Sequence, residues 1–130
     1  MITDPQFLLR LVLAAIAGGL VGFERESVHK PAGIRTHMLV CLGAALFVLA
    51  TIAVLPDEAA RIIGGVATGI GFLGAGTIFR SKDSVMGLTT AASIWIVSAI
   101  GLAFGLGEYL LAAAATILVI LILQLKRYGI

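Results

Sequence analysis

Charged residues are scarce: they make up 12 % of 130 positions, against 60 % hydrophobic. A soluble domain carries about 25 % charged residues, so a soluble globule of this size is excluded, and disorder and collagen with it. There is one cysteine, Cys41. It cannot form an intramolecular disulfide, which excludes a disulfide-stapled secreted fold. Lying in an uncharged apolar run, it reads as a small buried residue. Neither sign of charge dominates, and a net +2 is too small to point to nucleic acid. A P-loop, a metalloprotease HExxH and a nucleophile elbow are all missing. With no nucleophile–base pair, the chain is expected not to be an enzyme, and no cofactor is expected. The histidines, His29 and His37, lie eight apart across a loop without ligand-type neighbours, so a histidine metal site is not expected. The identity of any bound metal stays open.

Long apolar runs are what the chain has instead, with a mean hydropathy of +1.12. A membrane span needs about 20 apolar residues. Charges cut the sequence into five such pieces, at about 6–23, 36–55, 62–79, 85–106 and 109–125. The expectation is an all-α integral membrane protein of five transmembrane helices, a single transmembrane domain over residues 1–130. Short connections make sequence neighbours antiparallel. No Lys or Arg precedes the first apolar run, so it is read as a span, not a cleaved signal. One set of ends carries seven cations: Arg25, Lys30, Arg35, Arg80, Lys82, Lys126 and Arg127. The other set carries two, Arg61 and Arg10, the latter just inside the first span. The positive-inside bias puts the seven in the cytoplasm, with the N-terminus outside and the C-terminus cytoplasmic. Arg10 is expected to pair with Glu108 or Asp57.

Six glycines fall in the third run: Gly64, Gly65, Gly69, Gly71, Gly74 and Gly76. Each costs about 1 kcal/mol of helix propensity relative to Ala. In a membrane, close backbone approach to a neighbour compensates. Gly65/Gly69, Gly18/Gly22 and Gly101/Gly105 all keep the four-residue spacing such packing uses. The third helix is therefore expected to be central, and either continuous or broken around a polar site. Gly69-Ile70-Gly71-Phe72-Leu73-Gly74 matches the dinucleotide pattern GxGxxG by accident. The acidic residue required about 20 positions on would fall near Ile94, in an apolar run.

Gly19-x-x-Gly22, a charged loop and Gly33-Ile34-Arg35-Thr36 are echoed by Gly71-x-x-Gly74, a charged loop and Gly87-Leu88-Thr89-Thr90. This suggests a parallel two-helix repeat, spans 1–2 and 3–4, plus a fifth helix. Such a repeat would gather Glu24, Arg25, Arg35 and Thr36 with Arg80, Asp83, Thr89 and Thr90 at the cytoplasmic mouth. Thr36 and Thr90 would cap helix N-termini, where anions are favoured. Arg35 would pair with Glu24. Against this stands the plainer reading, in which the charges only mark the interface.

The blocks Gly22-Phe23-Glu24-Arg25-Glu26, Lys30 through His37, Gly69 through Gly76, and Gly87-Leu88-Thr89-Thr90-Ala91-Ala92 with Trp95 resemble the MgtC/SapB family of bacterial inner-membrane proteins. The resemblance covers about residues 7–125. It implies a protein of the bacterial inner (plasma) membrane linked to growth at low magnesium. Direct magnesium transport and, for virulence members, inhibition of the ATP synthase are activities proposed for the family. The motif positions carried over are Glu24, Arg25, Arg35, Thr36, Gly71, Gly74, Gly76, Thr89 and Thr90. The virulence members carry a soluble domain after the last helix; none follows the fifth run here, so its functions are not carried over. The expected function is that of a regulator contacting other membrane proteins in the lipid bilayer, self-associating as a homodimer through its glycine ladders. The alternative is a small oligomeric transporter or channel for Mg²⁺ or another ion. Mg²⁺ wants a few carboxylates, and the runs two to five contain none between their ends.

Overall fold

The structure is a computed structural model and describes residues 4–130. Helix α1 (Pro5–Ser27) starts where Asp4 accepts a bond from the Gln6 amide at 3.0 Å and Pro5 supplies the first turn. It ends in a Schellman closure, the Lys30 amide bonding the Arg25 carbonyl at 3.1 Å and the His29 amide that of Glu26 at 3.0 Å. His29 takes the left-handed conformation this needs, at φ 58°. Helix α2 (Ile34–Val54) follows, then a 3-10 turn (Pro56–Glu58) and α3 (Ala59–Ala75). A hairpin, β1 (Phe79–Ser81) and β2 (Ser84–Met86), pairs antiparallel with Phe79 opposite Met86. Helix α4 (Leu88–Gly105) starts after Gly87, whose φ of 89° and contact with the Thr77 carbonyl leave no room for a side chain. Helix α5 (Tyr109–Gln124) and a 3-10 turn (Leu125–Tyr128) complete the chain.

The core is built on α2, flanked by α1 and α4. Gly18 lies against the His37 carbonyl and Cys41, and Gly22 against the Gly33 carbonyl and Ile34. On the other side Gly101 lies against the Cys41 carbonyl and Gly105 against Ala45 and Val48. A Cβ at any of these four would overlap backbone or side-chain atoms of α2. Ala14, Ala17, Val21, Cys41, Ala45, Ile94, Val97 and Ile100 fill the layer between. In lipid, apolar burial does not drive helices together; close packing does, and small residues supply it. Leu8, Ile16, Phe23, Leu110, Ile117 and Leu121 stay on the outside, where acyl chains cover them.

Four helices are long and apolar enough to cross a membrane: α1, α2, α4 and α5 with its terminal turn. Helix α3 has 17 residues, about 25 Å at 1.5 Å per residue, which is short of a typical hydrocarbon core. The expected spans 62–79 and 85–106 are too long at the hairpin. Phe79, Val85 and Met86 are apolar, but they alternate in exposed strands instead of continuing helices. The expectation of a central third helix is also overturned. Helix α3 lies at the periphery, with only Val66 and Gly74 buried. Nothing lies within 4 Å of where a Cβ would stand at Gly64, Gly65, Gly69 or Gly71, and Gly76 is exposed. The reason is competition: α1 and α4 already occupy both sides of α2. Helix α3 is continuous from Ala59 to Ala75, so it is not a broken helix.

The two classes of glycine give opposite expectations. Gly101→Ala should cost about 1–3 kcal/mol through overpacking. Gly65→Ala should cost nothing and gain up to about 1 kcal/mol of helix propensity. Reversible unfolding of both variants in mixed micelles measures the difference.

Candidate functional site

The basic ends of α1, α2 and α4 meet around five buried polar side chains: Glu24, Arg25, His37, Thr90 and Ser93. Glu24 and Arg25 come from the last turns of α1, which the Gly22–Gly33 contact presses against the start of α2. Arg25 Nη2 donates to Thr90 Oγ1 at 3.4 Å, reaching across to α4. Arg25 Nη1 stands 3.8 Å from Glu24 Oε2. His37 Nδ1 is 2.8 Å from the Gly33 carbonyl, which can only accept, so this nitrogen carries a proton. His37 Nε2 is 2.9 Å from Ser93 Oγ, and that hydroxyl is 2.7 Å from the Thr90 carbonyl. The five groups form one connected chain from α1 through α4 to α2. Two atoms in it, Glu24 Oε2 and Arg25 Nε, have no hydrogen-bond partner among the described residues.

Of the eight expected site residues, the structure brings together Glu24, Arg25 and Thr90. Arg35, Arg80, Asp83 and Thr89 are exposed, and Thr36 is half-buried. Arg80 and Asp83 sit on the hairpin, and the close pairing of β1 with β2 holds them away from the cluster. The expected Glu24–Arg35 pair is replaced by Glu24–Arg25, because Arg35 leaves the second position of α2 toward solvent. Neither Thr36 nor Thr90 caps its helix; the cap positions are Gly33 and Gly87. Of the expected glycine site, Gly74 alone is buried, against Ala91.

Sequence reasoning set aside His37 and did not single out Ser93. A signal was there: His37 stands one turn after Gly33, and Ser93 one turn after Thr89, on the polar openings of two helices. At the opposite ends, Arg10 pairs neither with Glu108 nor with Asp57. It donates to the Gly105 carbonyl at 3.0 Å and lies 3.3 Å from the Tyr109 hydroxyl. The turn at Gly107 (φ 82°) closes the end of α4 and leaves the Gly105 carbonyl to it, and a helix C-terminus favours a cation.

The cluster offers one carboxylate, one guanidinium, one imidazole and two hydroxyls. No group of three or more His, Cys, Asp or Glu able to hold a metal ion occurs among the described residues. Between this cluster and Arg10 the core is lined by Cys41, Ala45, Val97 and Ile100. Ser98 and Thr116 bond to carbonyls of their own helices.

The MgtC family model matches residues 11–128. "Putative magnesium transporter YhiD" of Escherichia coli (strain K12) is 41 % identical, over 92 % of this chain and 60 % of its own length. "Protein MgtC" of Salmonella typhimurium (strain LT2) is 44 % identical, over 88 % of this chain and 49 % of its own. "Protein MgtC" of Brucella abortus (strain 2308) is also 44 % identical, over 88 % of this chain and 48 % of its own. The chain thus spans about half to three-fifths of the relatives it matches. No solved structure matches.

Arg25→Gln leaves the Glu24 carboxylate buried without its cation, an expected loss of about 3–5 kcal/mol. Adding Glu24→Gln removes the stranded charge. The double variant should therefore be more stable than Arg25→Gln alone. A double-mutant cycle of unfolding free energies reads this coupling directly.

Proposed function

The chain belongs to the MgtC family, and from that premise we propose that it is a non-enzymatic membrane protein of magnesium homeostasis that acts by contact with other membrane proteins. The observation that carries this reading is the outward face of α3. In the block Gly69–Gly76, which carries much of the family resemblance, Ile70 and Gly74 pack within the chain, while Gly69 and Gly71 have nothing within 4 Å of where a Cβ would stand. On one side of it a groove of about 560 Å³ runs between α3 and α2, lined by Leu39, Gly43, Phe47, Gly65 and Gly69. On the other a shallower one of about 250 Å³ is lined by Gly71, Gly74, Ala91, Ala92 and Trp95. A helix approaching α3 in lipid meets the open glycines Gly65 and Gly69 beside the exposed Phe72, flanked by two grooves, and small residues let transmembrane helices dock closely. In this reading α3 is the fifth span, and the pairs α1–α2 and α3–α4 are the units of a parallel repeat. The protein resides in the bacterial inner membrane with its seven-cation ends cytoplasmic. A second copy meeting it at α3 makes a homodimer.

A second reading, a small oligomeric ion transporter, is favoured by the transporter name that the Escherichia coli relative YhiD carries and by the buried Glu24–Arg25 pair. Mg²⁺ is held through one or two carboxylates and its own waters. Glu24, the one carboxylate of the cluster, is already faced by a guanidinium.

The pair Gly65→Leu/Gly69→Leu separates the readings. Contact through α3 predicts an association roughly ten- to a hundredfold weaker, measured as oligomer mass in nanodiscs, with the melting temperature kept. Proteoliposomes of the unaltered protein should show no magnesium flux. Flux that Arg25→Gln abolishes in folded protein would favour the transporter.

A further inference from the structure

We propose that a cavity between the basic ends of α1 and α5, distinct from the α3 face, binds a phosphate group. The cavity holds about 250 Å³. Four cations line it, Arg25, Lys30, Lys126 and Arg127, against the single carboxylate of Glu24. Val28 and Leu123 form its apolar wall.

The site is built by identifiable interactions. The Schellman closure of α1 fixes Lys30 through its amide bond to the Arg25 carbonyl, 3.1 Å. Arg127 Nη2 donates to Ser27 Oγ at 3.2 Å, which ties the end of α5 to the end of α1. Arg25 is only 3 % exposed, yet its Nε finds no acceptor among the described residues. Glu24 reaches Arg25 Nη1 only at 3.8 Å, too far for a charge-assisted hydrogen bond. Lys30 and Lys126 stand close together, and the second ammonium pushes the Lys30 pKa below its ordinary value. Gathering cations this way is unfavourable unless an anion lies among them. A phosphate group has the charge and the acceptor oxygens to satisfy both ammoniums.

Basic pockets between helices at the boundary of the hydrocarbon bind lipid headgroups, and Ile117 and Leu121 of α5 offer an exposed apolar surface for the acyl chains. A free phosphate has the same chemistry without the chains.

The test uses native mass spectrometry and thermal melting of the full chain. Three samples are compared: unaltered protein, Lys30→Gln/Lys126→Gln, and Lys82→Gln as a charge control on the exposed hairpin. Each is given phosphatidylglycerol, phosphatidylcholine or inorganic phosphate. The expected result is preferential retention of phosphatidylglycerol, weakened on the order of thirtyfold in the double variant and unchanged in Lys82→Gln. Stabilisation by inorganic phosphate alone, lost in the double variant, would support the site and identify a soluble occupant. Equal retention of both lipids with no stabilisation by phosphate would overturn the proposal. So would an equal loss in Lys82→Gln, which would reduce the effect to net charge.

Discussion

Backbone-to-backbone approach at four glycines determines how this molecule is put together. Gly18 and Gly22 seat α1 on α2, and Gly101 and Gly105 seat α4 on its other side. Lipid tails are as apolar as leucine, so a membrane bundle gains little by hiding apolar surface. It gains by letting helices come close enough for dispersion contacts along their length. The three-helix core uses its small residues for that purpose. Everything else is placed relative to it: α5 against α1 and α4, and α3 along the outside.

The buried charges depend on the same constraint. Glu24 and Arg25 would be costly at the membrane boundary without partners. The Gly22 contact brings them under the start of α2, and the approach of α1 to α4 puts Arg25 within reach of Thr90. His37 and Ser93 complete the chain from the facing helices. The Arg25–Thr90 and Arg25–Glu24 distances, 3.4 and 3.8 Å, are long for buried partners. The cluster is held by the helices around it more than by its own bonds, and Arg25 Nε is left without an acceptor among the described residues.

Composition and charge spacing made the class and the five helical segments legible, because lipid permits few solutions for an apolar chain. The Gly18/Gly22 and Gly101/Gly105 ladders were legible too. Which ladder faces inward was not. Gly65/Gly69 carries the same spacing, and nothing in a four-residue period says which neighbour is present. The hairpin was missed because Phe79, Val85 and Met86 are as apolar as a helix end. The Glu24–Arg35 pairing failed for a geometric reason: helix phase at the start of α2, which loop length does not determine, turns Arg35 to solvent. His37 was read as isolated because its partner, Ser93, is 56 positions away and meets it only once α2 and α4 are in contact.

A glycine ladder left outside the core is, in the proposed function, a surface for contact with a second chain. Photo-cross-linking in native membranes tests it most directly, with the reactive group installed at position 69 on α3 or, for comparison, at position 118 on the outer side of α5. A covalent adduct with a second protein chain is expected from position 69, and adducts with lipid alone from position 118. Lipid adducts alone from both positions would contradict it.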